Sequence, residues 1–203
     1  MGLEVCLDRG GWGPQNGKQT NFGSNEGMMA AYLLMVLAVL SRVVPFPGMN
    51  FTAVGAGLLY FGARRPLREM ALPVLALMGT DYYLTVLAYH YPFHTSAYLI
   101  TWAWYAAVVV LGRILLSKQV TVPRVIGGPV VASTAFFLVS NYAVWAGSMM
   151  YPHTATGLGA CYVAALPFYR NDLLSTTVIT AVAFGVPVLV RKVAELRAHK
   201  IAA

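Results

Sequence analysis

Five residues suited to binding a small molecule lie within or beside strongly apolar stretches of the sequence: Arg42, Asn50, Asp81, Asn141 and Trp145. An isolated carboxylate in hydrocarbon costs about 2.5–3.5 kcal/mol at a helix centre, so Asp81 should face the protein interior and find a partner. Arg42 is the best candidate partner because no other arginine is predicted in an outer helix turn. The asparagines would add directed hydrogen bonds, and the indole would add a flat stacking face.

Each of these residues also has a purely structural explanation. An Arg42–Asp81 tie between helices is as good an explanation as a ligand-contacting pair, and Asn141 could form an interhelical hydrogen bond. Trp145 lies one helical turn after Asn141 and shares its face, which favours a common role. Trp102 and Trp104 are instead expected in the aromatic belt at a membrane interface.

Other kinds of chemistry are not indicated. His90 and His94 have i,i+4 spacing, but Pro92 between them argues against the regular helix that a shared metal would need. The sequence contains no nucleotide-binding loop, nucleophile elbow or zinc-protease motif. We therefore predict no cofactor, no metal site and no enzymatic activity; an intramembrane enzyme has little support.

The composition places the protein in a membrane. Of the 203 residues, 58% are hydrophobic and only 10% are charged, against about 25% charged in soluble domains. The formal charge of +7 does not indicate nucleic acid, because the basic residues lie between apolar runs. We predict an all-α bundle with a polar tail at 1–27, a membrane domain at 28–190 and a basic tail at 191–203. The six predicted transmembrane helices lie at about 28–44, 51–63, 67–88, 97–116, 125–147 and 173–190.

Two further features refine the predicted bundle. Ala53 and Gly57 are small residues at i,i+4, the spacing that lets helices approach closely. The apolar segment 154–168 is short for a membrane crossing, which takes about 20 residues. We therefore predict an additional interfacial or re-entrant helix over the outer mouth, within a lid at 148–172.

The basic residues predict the orientation. With six crossings, twelve of the 14 lysines and arginines lie on one side, and only Arg42 and Arg170 belong to the other. Cytoplasmic loops carry the excess of positive charge, so both termini should be cytoplasmic in the inner membrane.

Several motifs carry a resemblance to known proteins. The stretches 42–56, 140–145, 151–154 and 160–168, together with Asp81, resemble an uncharacterised bacterial membrane family over 28–190. More distantly, the pattern is similar to the substrate-binding S components of energy-coupling-factor vitamin transporters. That resemblance implies a six-helix protein that captures a vitamin-like molecule and docks on a membrane coupling subunit with two ATPases. The first helix lacks the alanine-x-x-x-alanine docking motif common in those proteins.

Two functions follow as hypotheses. The first is a substrate-binding or transport subunit with an outward pocket for a small, flat, partly polar molecule. The second is a non-catalytic accessory subunit of a larger membrane complex, in which the Arg42–Asp81 tie is structural.

Overall fold

The computed structural model describes residues 24–44 and 51–202, without the side chains of residues 24, 191, 195 and 198–202. Asn50 and residues 1–23 of the predicted tail lie outside the described residues. Within the described ranges the chain is all-helical, which confirms the predicted class. The six helices are α1 Ser24–Val43, α2 Val54–Arg64, α3 Ala71–Tyr82, α4 Thr95–Leu116, α5 Val122–Gly147 and α6 Ala155–Ala202.

Five apolar segments are long enough to cross a membrane: Asn25–Val43, Leu67–Ala88, Thr95–Leu116, Val122–Gly147 and Ala155–Ala194. The second of these joins a 3₁₀ turn, Leu67–Glu69, to α3 and to a π-helical segment, Tyr83–Ala88. The predicted second crossing corresponds to α2, which has only 11 residues. At 1.5 Å per residue, α2 is about 17 Å long and covers about half of a 30 Å hydrocarbon layer.

The short helix α2 is the centre of the bundle. Every residue from Ala56 to Ala63 is buried, and α1, α4, α5 and α6 all pack against it. Glycines permit the closest approaches. A Cβ atom on Gly62 would overlap the carbonyl of Val109, and one on Gly112 would overlap the carbonyl of Leu59. On the other side, Gly57 packs against Leu34 and Ala38 of α1, as the small-residue spacing predicted.

Neighbouring helices alternate in direction. Near one end of α2, the Ser41 hydroxyl accepts a hydrogen bond from the Ala53 N–H at 3.0 Å. Near the other end, Glu69 pairs with Arg65 at 2.6 Å and accepts a hydrogen bond from the Tyr32 hydroxyl. α1 and the 67–88 segment are thereby fixed antiparallel to α2.

The predicted division between an outer helix at 154–168 and a sixth span at 173–190 is wrong. Both segments belong to α6, a single helix of 48 residues. Thr154 caps its start, because its hydroxyl accepts the Gly157 N–H at 3.1 Å. Pro167 lies inside the helix without ending it. The first half of α6 therefore packs along α5 as part of the bundle wall.

Candidate functional site

A cavity of about 750 Å³ lies inside the bundle, a volume within the range of small-molecule sites. All six helices and the π segment contribute to its wall. Val54 and Gly55 line it, so the amino-terminal end of α2 borders the cavity. The carboxyl-terminal turns of α1 and the middle of α4, α5 and α6 complete the wall, which combines polar and aromatic side chains.

An ion pair joins α1 to α3 on one side of the cavity. Arg42 Nη2 lies 2.7 Å from Asp81 Oδ1, and the Asp81 side chain is only 1% exposed. Two neighbours on α4 bind the other carboxylate oxygen: Trp102 Nε1 donates to it at 3.0 Å and the Tyr105 hydroxyl at 3.4 Å. Arg42 also donates a hydrogen bond to the Tyr105 hydroxyl. The predicted partnership of Arg42 and Asp81 is confirmed, and both residues line the cavity.

A second set of polar and aromatic groups lies beside this ion pair, and the π segment contributes Thr85 to it. The Thr85 hydroxyl donates to the Asp81 carbonyl at 2.7 Å and lies 2.6 Å from the Tyr98 hydroxyl. Phe93 stacks on both Tyr98 and Trp102, with ring centroids 5.0 and 6.1 Å apart. The indole N–H of Trp102 therefore donates to a buried carboxylate. The prediction that Trp102 belongs to an interfacial aromatic belt did not include this role.

Aromatic rings form another part of the cavity wall. Trp104 of α4 stacks on Phe136 of α5 at 5.8 Å, and Phe137 packs against Tyr169 of α6 at 4.7 Å. The Tyr169 hydroxyl lies 2.9 Å from that of Thr134, which fixes the ring against α5. These four rings all line the cavity and offer it flat apolar surfaces.

A second carboxylate, Asp172, also lines the cavity. It lies on α6 beside the hydroxyls of Ser133 and Thr176, which are 3% and 0% exposed. Both hydroxyls lie close to the Asp172 carboxylate, without the geometry of a well-formed hydrogen bond to it. Sequence reasoning placed Asp172 in an outer connection. The four-residue spacing of Asp172, Thr176 and Thr180 was the available signal, since it indicates one polar face of a helix.

Asn141 and Trp145 have different positions. Asn141 lines the cavity, with its amide nitrogen donating to the Phe137 carbonyl at 2.8 Å within α5. Trp145 is not part of the cavity wall: its Nε1 donates to the Pro152 carbonyl at 2.9 Å and its ring packs on His153. One helical turn carries Trp145 beyond the cavity, where it ties the α5–α6 connection. Asn50, the remaining predicted site residue, lies outside the described residues.

The donor set does not suggest a metal centre. Among the residues that the structure describes, no group of three or more histidine, cysteine, aspartate or glutamate side chains could hold a metal ion. Cys161 is buried and carries a free thiol. The cavity groups are instead suited to hydrogen bonding, ion pairing and aromatic stacking.

The fold and the site define a polytopic α-helical membrane protein with a polar and aromatic cavity inside its bundle. The chain belongs to the family of unknown function DUF6580, whose model matches residues 23–198. The predicted relation to an uncharacterised family is thereby confirmed. No curated protein and no solved structure matches this chain.

Proposed function

We propose that this protein is a substrate-binding or transport subunit of the bacterial inner membrane that captures a small, flat, partly polar molecule. The observation that carries the proposal is the cavity of about 750 Å³, whose wall contains a buried ion pair and stacked aromatic rings. A bundle that needed only to be stable would not require charged groups at this depth, because buried ion pairs contribute little net stability.

The proposed orientation supports this function. With both termini cytoplasmic, the end of α1 and the start of α4 lie toward the outside, and both line the cavity. The basic cluster around Arg64, Arg65 and Arg68 then lies at the opposite, cytoplasmic end. A ligand would enter from the outer side, as in the proposed likeness to S components of energy-coupling-factor transporters.

One observation favours a partner protein, as either a coupling subunit or a larger complex would require. Phe184 of α6 lies at the same height along the bundle as Arg64 of α2, because only 5.2 Å separates the ring centroid from the guanidinium carbon. The 18 residues from 185 to 202 therefore continue α6 for about 27 Å beyond that level. Val193 and Leu196 are 40% and 64% exposed on this extension, which suits a helical neighbour.

Native mass spectrometry of the gently solubilised protein from its own host tests the proposal. We expect a retained small molecule in the wild type, lost in Asp81→Asn and Trp104→Leu but kept in the matched control Glu26→Gln, whose side chain is exposed on α1. An empty protein bound stoichiometrically to other membrane chains would instead support the accessory-subunit function. Retention by both cavity variants would contradict the cavity as the binding site.

A further inference from the structure

The positive and negative charges of the residues that line the cavity do not cancel. The charged residues are Arg42, Asp81 and Asp172. The first two neutralise each other at 2.7 Å. No lysine, arginine or histidine lies within ion-pair distance of Asp172 among the described residues. Arg170, two positions earlier on α6, is exposed and does not line the cavity. The cavity therefore has one negative charge in excess when its carboxylates are ionised.

Two buried hydroxyls, those of Ser133 and Thr176, lie next to the Asp172 carboxylate. They are neutral groups, so they leave the negative charge of an ionised Asp172 uncompensated. Because the neighbouring group is a carboxylate, an N–H-rich cation fits this place, whereas an anion would be repelled.

The aromatic wall strengthens the preference for a cation. The aromatic residues Trp104, Phe136 and Tyr169 line the same cavity as Asp172. Ring faces attract positive charge, and flat rings stack on them. A carboxylate for the charged end and aromatic faces for the body are both available within 750 Å³.

We propose that the ligand is a small organic cation, a protonated amine on a flat ring, with its ammonium group at Asp172. This inference rests on the proposed function and names the substrate class of the same cavity. The Arg42–Asp81 pair contributes no net charge to the cavity.

The test uses matched probes on three ring scaffolds. Each scaffold is offered as an amine, a neutral alcohol and a carboxylate: tryptamine, tryptophol and indole-3-acetate; phenethylamine, 2-phenylethanol and phenylacetate; 1-naphthylmethylamine, 1-naphthalenemethanol and 1-naphthoate. Protein in phosphatidylcholine nanodiscs is incubated with the mixture and separated by size exclusion, and retained probes are quantified by mass spectrometry. Protein-free nanodiscs give the background.

We expect at least one amine to be retained about tenfold or more above its alcohol and carboxylate partners, because a charge-assisted hydrogen bond contributes about 1.5–3 kcal/mol. Asp172→Asn should reduce this ratio to about one, and Glu26→Gln should leave it unchanged. An absence of amine preference on every scaffold, or a preference that persists in Asp172→Asn, overturns the inference. Size-exclusion profiles and melting temperatures establish that the variants fold.

The two proposals fail in different ways. If the wild type retains a neutral or anionic molecule that the Trp104→Leu variant loses, the binding function stands and the cation inference is wrong. If no probe and no molecule from the host is retained, both proposals are wrong.

Discussion

Arg42 and Asp81 form an ion pair at 2.7 Å that joins the last turn of α1 to α3, and the two side chains are unequally exposed. Asp81 is 1% exposed, whereas the Arg42 side chain is 24% exposed where it borders the cavity. Asp81 therefore depends on Arg42, Trp102 and Tyr105 for all of its charge compensation. Arg42 retains access to the cavity.

This buried ion pair predicts that mutations of its two residues have non-additive effects on stability. Asp81→Asn should destabilise the fold by up to about 3–5 kcal/mol, the usual cost of breaking a buried pair, with the cavity-facing side of Arg42 reducing that cost. The double variant Arg42→Met/Asp81→Leu should be less destabilised than the sum of its single variants, since no unpaired charge remains. Denaturant unfolding in detergent measures the cycle. Additive effects would mean that the two residues do not stabilise each other.

The crossing of α2 and α4 predicts a second set of variants. Gly62 and Gly112 each face a carbonyl of the other helix, and a Cβ atom at either position would overlap that carbonyl. Gly62→Ala and Gly112→Ala should each separate the helices and destabilise the protein by about 1–3 kcal/mol or more. Thermal unfolding and size exclusion measure the effect.

Gly79 provides the matched control for this crossing. It lies within α3, and a Cβ atom there would meet nothing within 4 Å. Gly79→Ala should be neutral or stabilising by up to about 1 kcal/mol, because alanine has the higher helix propensity. If all three variants behaved alike, close backbone packing at the α2–α4 crossing would not explain the effect.

The features that could be predicted from the sequence were those whose absence would cost free energy in the hydrocarbon layer. A lone aspartate within an apolar run had to find a cation, so Arg42 and Asp81 could be paired without a structure. The ends of α1, α4 and α5 were predicted to within one residue, whereas these helices start two to four residues before the predicted positions. The small pair Ala53 and Gly57 indicated a close helix contact, which Gly57 makes with α1.

The features that the sequence did not reveal depend on tertiary arrangement. Residues 169–172 have the polar composition of an interfacial flank, yet α6 continues through them because Thr154 caps its start and α5 packs along it. Asp172 is thereby carried to the cavity. The pairing of Gly62 with Gly112 also could not be read from spacing, since many helix pairs can bring two glycines together.

Substitutions of Trp104 and Trp145 are expected to have different effects on ligand retention. Trp104 lines the cavity and stacks on Phe136, so Trp104→Leu should reduce retention of an aromatic ligand by removing a stacking face worth about 0.5–1.5 kcal/mol. Trp145→Phe should leave retention unchanged while lowering the melting temperature, because it removes the hydrogen bond to Pro152. Retained probe and melting temperature, measured on the same samples, distinguish these effects. Loss of ligand in Trp145→Phe would restore the sequence-based prediction that this indole contacts the substrate.

The proposed orientation predicts a labelling pattern at two exposed positions. Met149 lies in the α5–α6 connection and is 95% exposed, and Gln119 lies exposed in the α4–α5 connection. In a Cys6→Ser/Cys161→Ala background, Met149→Cys should react with a membrane-impermeant maleimide in intact cells. Gln119→Cys should react only after the cells are permeabilised, because it lies beside Lys118 and Arg124 at the basic, cytoplasmic end.

The same experiment tests the alternation of the helices. Because α5 separates the two positions, a single crossing requires that they label from opposite sides. Glu26→Cys, exposed in the first turn of α1, should follow Gln119→Cys, since α1 begins at the end of the bundle where Tyr32 binds Glu69. The reverse pattern would place the basic end outside and put the cavity mouth toward the cytoplasm. Labelling of both connections from outside would mean that α5 does not cross the membrane.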